Sequence, residues 1–153
     1  VIEVSGPNVF KGYWRMPEKT AAELREDGFF ITGDVGRIGR DGYVTIVGRA
    51  KDLIISGGYN VYPKEVELAL DEVPGVIESA VVGLPHPDLG EGVVAFVVAD
   101  DPGFDPAVAA AHLDGRLARF KHPRHYEVVA ELPRNAMGKV QKTTLRSGPA
   151  PFH

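Results

Sequence analysis

The sequence has no cysteine, which excludes disulfides, thiolate nucleophiles and cysteine-held metals but assigns no redox compartment. Its longest unbroken apolar run, Val93 to Ala99, falls far short of the ~20 residues a helix needs to cross a bilayer. No membrane association is expected, and a soluble, cytoplasmic protein is. The chain opens on Val1-Ile2-Glu3-Val4 without an initiator Met, a positively charged stretch or a signal-peptide pattern. It reads as a piece of a longer protein. A net charge of −4 gives no overall pull toward nucleic acid. Basic residues are scattered except from Arg116 to Arg124, with no aromatic interleaving, so nucleic acid is not an expected partner. His86, His112, His122, His125 and His153 form no convincing zinc ligand set, and no metal ligand is assigned.

What is present suits a globular protein: 153 residues, 44% hydrophobic and 25% charged. Residues 1–48 read as hairpins without a closed core. Thr20-Ala21-Ala22-Glu23 has the form of a capping box that starts a short helix ended by Asp27-Gly28. Phe29 to Ile31 and Val35 to Ile38 read as short strands, the latter joined to Tyr43–Val47 through an Arg40-Asp41-Gly42 turn. The aromatics Phe10, Tyr13, Trp14, Phe29 and Phe30 are expected to pack against upstream sequence. From Arg49 onward there is enough pattern for a small domain. Pro63 to Val73 places Val66, Ala69, Leu70 and Val73 on one helical face. Val76 to Leu84 and Val93 to Ala99 read as buried strands separated by a polar loop, Pro85 to Gly92. Asp105-Pro106 starts a second helix, with Leu113, Leu117 and Phe120 on its apolar face. Tyr126 to Ala130 is a third strand, Lys142 to Arg146 one helical turn, and 148–153 a frayed tail.

Between these parts lies the most informative stretch, Tyr43 to Glu67. Two β-rich runs, Val44–Val47 and Leu53–Ile55, flank a charged corner, Gly48-Arg49-Ala50-Lys51-Asp52, and the second run leads into Gly57-Gly58 and then Pro63. The corner, followed by Ser56-Gly57-Gly58-Tyr59-Asn60-Val61-Tyr62-Pro63-Lys64-Glu65-Val66-Glu67, resembles the hinge motif of the adenylate-forming enzymes. Thr32-Gly33-Asp34 and Pro133-Arg134-Asn135-Ala136-Met137-Gly138-Lys139 resemble that family's other late motifs, in the same order. The resemblance covers nearly the whole chain and belongs to the final third of such an enzyme. It implies an α+β fold: a small C-terminal domain with a three-stranded sheet, flanking helices and a two-stranded hinge hairpin, preceded by strands from the edge of a missing N-terminal domain. The expected division is 1–48 for that edge, 49–147 for the mobile domain and 148–153 for the tail.

The resemblance implies a role for each candidate residue, beside a plainer reading. Lys139 would bridge the acyl carboxylate and the α-phosphate of ATP; by residue type alone it is an ordinary solvated lysine. Asp34 would accept the ribose hydroxyls, or else cap its own turn. Arg49 would hold ribose or phosphate oxygens, or else form a surface ion pair with Asp52. Lys51 and Asp52 would form the hinge about which the domain rotates; sequence alone shows only polar residues in a bend. Gly57 and Gly58 would line the tunnel for the pantetheine arm of coenzyme A, or form a plain β-turn before a helix. Glu65 and Glu67 read as structural.

The activity so implied is an acid–thiol ligase: a carboxylic acid is activated with ATP and magnesium, and the acyl group passes to coenzyme A. The stretch from Gly6 to Thr20 resembles malonyl-CoA synthetases, which suggests malonate or methylmalonate as the acid. The phosphate loop, the magnesium-binding Glu and the acyl pocket would lie upstream, so this chain alone is expected to be inactive. A lysine acyltransferase acting on Lys139 would remove its charge. Two other readings stand beside this one: a free-standing binding or lysine-acylation-target module, and part of a carrier-protein-dependent adenylation domain. Gly138-Lys139 is not a Walker loop, since Val140 stands where magnesium would need Ser or Thr. Ser56 lacks the frame of a nucleophile elbow.

Overall fold

A computed structural model describes residues 1–101 and 103–152. The chain divides into two compact units, Val1–Lys51 and Asp52–His153. The division falls after Lys51 because Arg49 is still in register with Asp34 and the Ala50 amide donates to the Gly33 carbonyl at 2.9 Å.

The first unit contains β1 (Glu3–Val4), α1 (Pro17–Glu23), β2 (Phe30–Ile31), β3 (Asp34–Ile38) and β4 (Val44–Arg49). β1 pairs with β2 and β3 with β4, both antiparallel. The expected strand from Tyr43 thus pairs backward with β3 and makes no hairpin with the run that follows the charged corner. The capping box also fails. Proline, with φ already helical and no N–H to satisfy, takes the first position of α1 at Pro17. Thr20 therefore lies inside the helix, where its hydroxyl donates to the Met16 carbonyl and accepts from the Tyr13 amide, each at 2.9 Å. Phe10 packs edge-on against Tyr13 and Phe30, ring centroids 4.9 and 5.2 Å apart, so three of the aromatics expected to meet upstream sequence pack on one another. Trp14 stays exposed.

The second unit contains β5 (Ile54–Ser56), β6 (Tyr59–Val61), α2 (Pro63–Leu70), β7 (Val76–His86), β8 (Gly90–Ala99), α3 (Pro106–Leu113), β9 (His125–Val128) and α4 (Lys142–Arg146). The sheet runs β6-β5-β8-β7, with β9 parallel to β8. The α+β class and the core strands β7, β8 and β9 are as expected. The β5–β6 hairpin is joined to the sheet, because Ser56 pairs with Gly90. The polar loop is shorter than expected: β7 continues through Pro85 to His86, opposite Gly90. Proline is tolerated there because β7 is an edge strand and its missing N–H leaves no bond unmade on the open side. α3 ends at Leu113 rather than continuing to Phe120; Gly115, at φ +78°, turns the chain out of the helix.

β8 reads as an uninterrupted apolar run because both of its faces are covered. Val93, Ala95 and Val97 enter a cluster with Val66, Leu70 and Val73 from α2 and its end, and with Ala109 and Leu113 from α3. Val94, Phe96 and Val98 enter a second cluster with Leu132, Leu145 and the partly buried Ala150 and Phe152. The tail is thus packed as far as Phe152, not frayed: its ring lies 4.7 Å from His86 and over Gly92, where a Cβ would come within 2.4 Å of it. His153 lies outside the described residues.

Between α2 and α4 sits a charge removed from water. Glu67, 6% exposed, accepts from the Val81 amide at 2.9 Å and from Lys142 Nζ at 2.5 Å. Replacing Lys142 with Met strands that carboxylate. The unfolding free energy, measured in urea, is expected to fall by about 3 kcal/mol, and the Glu67→Gln/Lys142→Met double variant is expected to recover much of the loss.

Tyr126 carries a second buried polar atom, its Oη having no hydrogen-bond partner among the described residues. Burial first, and the charge of Asp114 second, push its pKa up to about 12 from 10.0. Across that window the unfolded chain releases a proton that the folded chain keeps, so this residue's contribution to stability is lost as pH rises. Tyr126→Phe is expected to be neutral or stabilising at pH 7 and to flatten the decline in urea midpoint between pH 10 and 12.

Candidate functional site

In the first unit the antiparallel register puts Asp34, at the start of β3, opposite Arg49, at the end of β4. Arg49 Nε meets Asp34 Oδ1 at 2.8 Å, and Arg49 Nη1 donates to the Thr32 carbonyl at 3.1 Å. Thr32 anchors the turn: its hydroxyl donates to the Ile2 carbonyl at 2.8 Å and accepts from the Asp34 amide at 3.1 Å. Arg49 therefore pairs with Asp34 rather than with Asp52, and the hydroxyl of Thr32, not the Asp34 carboxylate, satisfies the turn amide. Both residues border an open cleft of about 660 Å³ whose wall also includes Tyr13, Lys19, Phe30 and Lys51. A carboxylate beside a guanidinium in such a cleft can accept from hydroxyls and donate to oxyanions at once.

Sequence reasoning missed part of this cleft wall. Tyr13 donates to Glu23 at 2.5 Å, and the ammonium of Lys19 lies 4.1 Å from the centre of the Tyr13 ring. The Glu23 carboxylate holding the phenol proton, and then burial, raise the Tyr13 pKa. The capping-box pattern assigns Glu23 to a helix start and so hides its contact with Tyr13.

The second unit carries the other candidates. Gly57 and Gly58, at φ +57° and +81°, form the two-residue turn of the β5–β6 hairpin, a conformation in which a side chain is strained. The plain turn is thus their local geometry. It is held from below: the Gly57 amide donates to the Leu89 carbonyl at 2.9 Å and the Ile55 amide to the Glu91 carboxylate at 2.8 Å.

Lys139 is exposed at the tip of a loop that is more ordered than its irregular sequence suggests. Arg134 and Val140 form a bridge, and Asn135 Oδ1 accepts from the amides of Met137 and Lys139 at 2.9 and 3.0 Å. Arg134 donates to the Gly138 carbonyl at 2.7 Å and pairs with Glu78 on β7. The turn bonds of Asn135 are of a kind that asparagine makes often, so that residue was the available signal. The partner of Arg134 lies 56 positions away and had none.

Residues 65–139 match the AMP-binding enzyme C-terminal domain. Feruloyl-CoA synthase of an Amycolatopsis species is 49% identical over 146 residues, 95% of this chain and 30% of that protein. Among solved structures, ATP-bound MatB from Rhodopseudomonas palustris is similar with a TM-score of 0.83 and 62% identity, over 94% of this chain and 29% of that one. o-Succinylbenzoate CoA synthetase (MenE) from Bacillus subtilis, in complex with its acyl-adenylate intermediate OSB-AMP, gives 0.88 and 35%, over 96% and 30%. Residues 65–139 are thus an AMP-binding enzyme C-terminal domain, and the chain spans about 30% of the length of these relatives.

The Gly57 position is constrained twice, by its φ and by Leu89, whose side chain a Cβ would meet at 3.2 Å; at Gly58 a Cβ meets nothing within 4 Å. Gly58→Ala is expected to lower the urea unfolding free energy by about 1–2 kcal/mol. Gly57→Ala is expected to cost more.

Proposed function

We propose that this segment serves an acyl-CoA synthetase in which a carboxylate attacks the α-phosphorus of ATP, displacing pyrophosphate, and the thiol of coenzyme A then attacks the acyl carbonyl, displacing AMP and losing its proton to solvent. The observation that carries the reading is the exposed Lys139 on a braced loop, at the end of the matched domain segment. In the first step the ammonium of Lys139 lies against the acyl carboxylate and the α-phosphate oxygens, where negative charge gathers. Asp34 accepts the ribose hydroxyls and Arg49 donates to ribose or phosphate oxygens. Rotation at Lys51 and Asp52 then withdraws Lys139, and the side-chain-free Gly57-Gly58 turn lines the channel for the pantetheine arm.

Malonate or methylmalonate is the acid this reading favours, supported by the Gly6–Thr20 resemblance and by the 62% identity to MatB. Among the described residues no cluster of three or more His, Asp or Glu could hold a metal. On this reading magnesium is held by the upstream part of the ligase together with the phosphates of ATP, and neither step above is routed through it. No helix among the described residues is long and apolar enough to cross a membrane. A cytoplasmic setting, with ATP and coenzyme A at hand, goes with the reading. The exposure of Lys139 also leaves it open to an acyltransferase, which would cancel its charge and with it the first step.

In a full-length ligase carrying this segment, Lys139→Ala is expected to slow acid- and ATP-dependent pyrophosphate release by about 10²–10³-fold. Conversion of preformed acyl-adenylate to thioester is expected to persist. Normal pyrophosphate release by this variant would end the role given to Lys139.

A further inference from the structure

The ion pair between Arg146 and Asp52 joins two places that the proposed mechanism treats separately. Arg146 Nη2 donates to Asp52 Oδ1 at 3.0 Å, across 94 positions of sequence, and the two side chains are 30% and 18% exposed. Asp52 is the first residue of the second unit, immediately after the division at Lys51. Arg146 closes α4, the helix that follows the Lys139 loop.

A helix of this length has no stability of its own, so its position is set by what grips it. Lys142 is bound to Glu67 at one end, Leu145 is buried in the second cluster, and Arg146 is bound to Asp52 at the other end. Backward along the chain, the Gln141 amide donates to the Pro133 carbonyl at 2.7 Å, which closes the loop carrying Lys139 onto the start of α4. Asp52, α4 and the Lys139 loop are thereby linked through short, named contacts.

We infer that Arg146 is a positioning residue: by fixing Asp52 to α4, it makes Asp52 part of the moving domain, confines the turning backbone to Lys51, and carries that rotation to Lys139 without slack. The inference rests on the proposed two-step reading and adds Arg146 to the residues that serve its hinge.

Two measurements test it, the first of them independent of activity. On the chain itself, cleavage by endoproteinase Lys-C after Lys51, followed by mass spectrometry, is expected to speed up at least about fivefold in Arg146→Met and in Asp52→Asn. Arg146→Lys, which keeps a charge in reach, is expected to stay near the parent rate. In the full-length ligase, well below the unfolding midpoint, Arg146→Met is expected to lower kcat for pyrophosphate release about tenfold, with little change in KM for ATP. Arg146→Lys is expected to recover part of that loss. A purely structural role predicts no split between kcat and KM and no selective cleavage at Lys51. Unchanged cleavage and unchanged kcat in Arg146→Met would overturn the inference. Lys139→Ala, run alongside, separates the two failures: if it too retains full pyrophosphate release, the mechanism has failed, and if it alone is inactive, only the role of Arg146 has.

Discussion

A carboxylate taken out of water has to be paired, and at Glu67 that requirement organises the second unit. Its oxygen is shared between the backbone of β7, through Val81, and the ammonium of Lys142. One buried charge thus joins α2, the sheet and α4. Apolar burial could hold the same elements together, yet it would set no direction for the short α4, whereas an ion pair with a fixed donor does. The loop with Lys139 enters α4 directly, so its placement follows from that of Glu67.

The sheet beneath is arranged around β8, whose two faces send alternate side chains into separate cores. One core holds α2 and α3. The other holds Leu132, Leu145 and the tail, the side from which the Lys139 loop and α4 emerge. At the far margin β8 meets the glycine turn through Gly90 and Glu91. A single rigid strand therefore supports both the turn given to coenzyme A and the segment given to adenylation, which suits a domain that moves as one body.

Local chemistry was legible in the sequence and distant partners were not. Pro63 and Asp105-Pro106 marked helix starts correctly, the latter with Asp105 accepting from the Ala107 amide at 2.8 Å. Gly57-Gly58 announced a turn that only glycine enters without strain. Apolar, β-rich runs marked β7, β8 and β9 but stopped β7 early, since Pro85 is allowed only by an edge position that no local pattern reveals. Thr20 and Glu23 misled because their spacing matches a capping box, while Pro17 had already claimed the helix start. The pairs Glu67–Lys142, Arg134–Glu78 and Arg146–Asp52 are separated by most of a domain, and nothing in a linear pattern links them. Asp34 and Arg49 are a middle case: each was singled out from the resemblance, and the β3–β4 register explains why they meet.

The central claim is that one lobe, turning at Lys51, serves two half-reactions. Because this segment contains no cysteine, spin labels can be placed at Ile38→Cys in the first unit and Met137→Cys beside Lys139, both exposed positions. Pulsed electron resonance on the full-length ligase, in a background otherwise free of thiols, reads the distance between them. The account predicts one distance population with a non-reactive acyl-adenylate analogue and a distinctly different one when coenzyme A is added. A single, unchanged population under both conditions would contradict it.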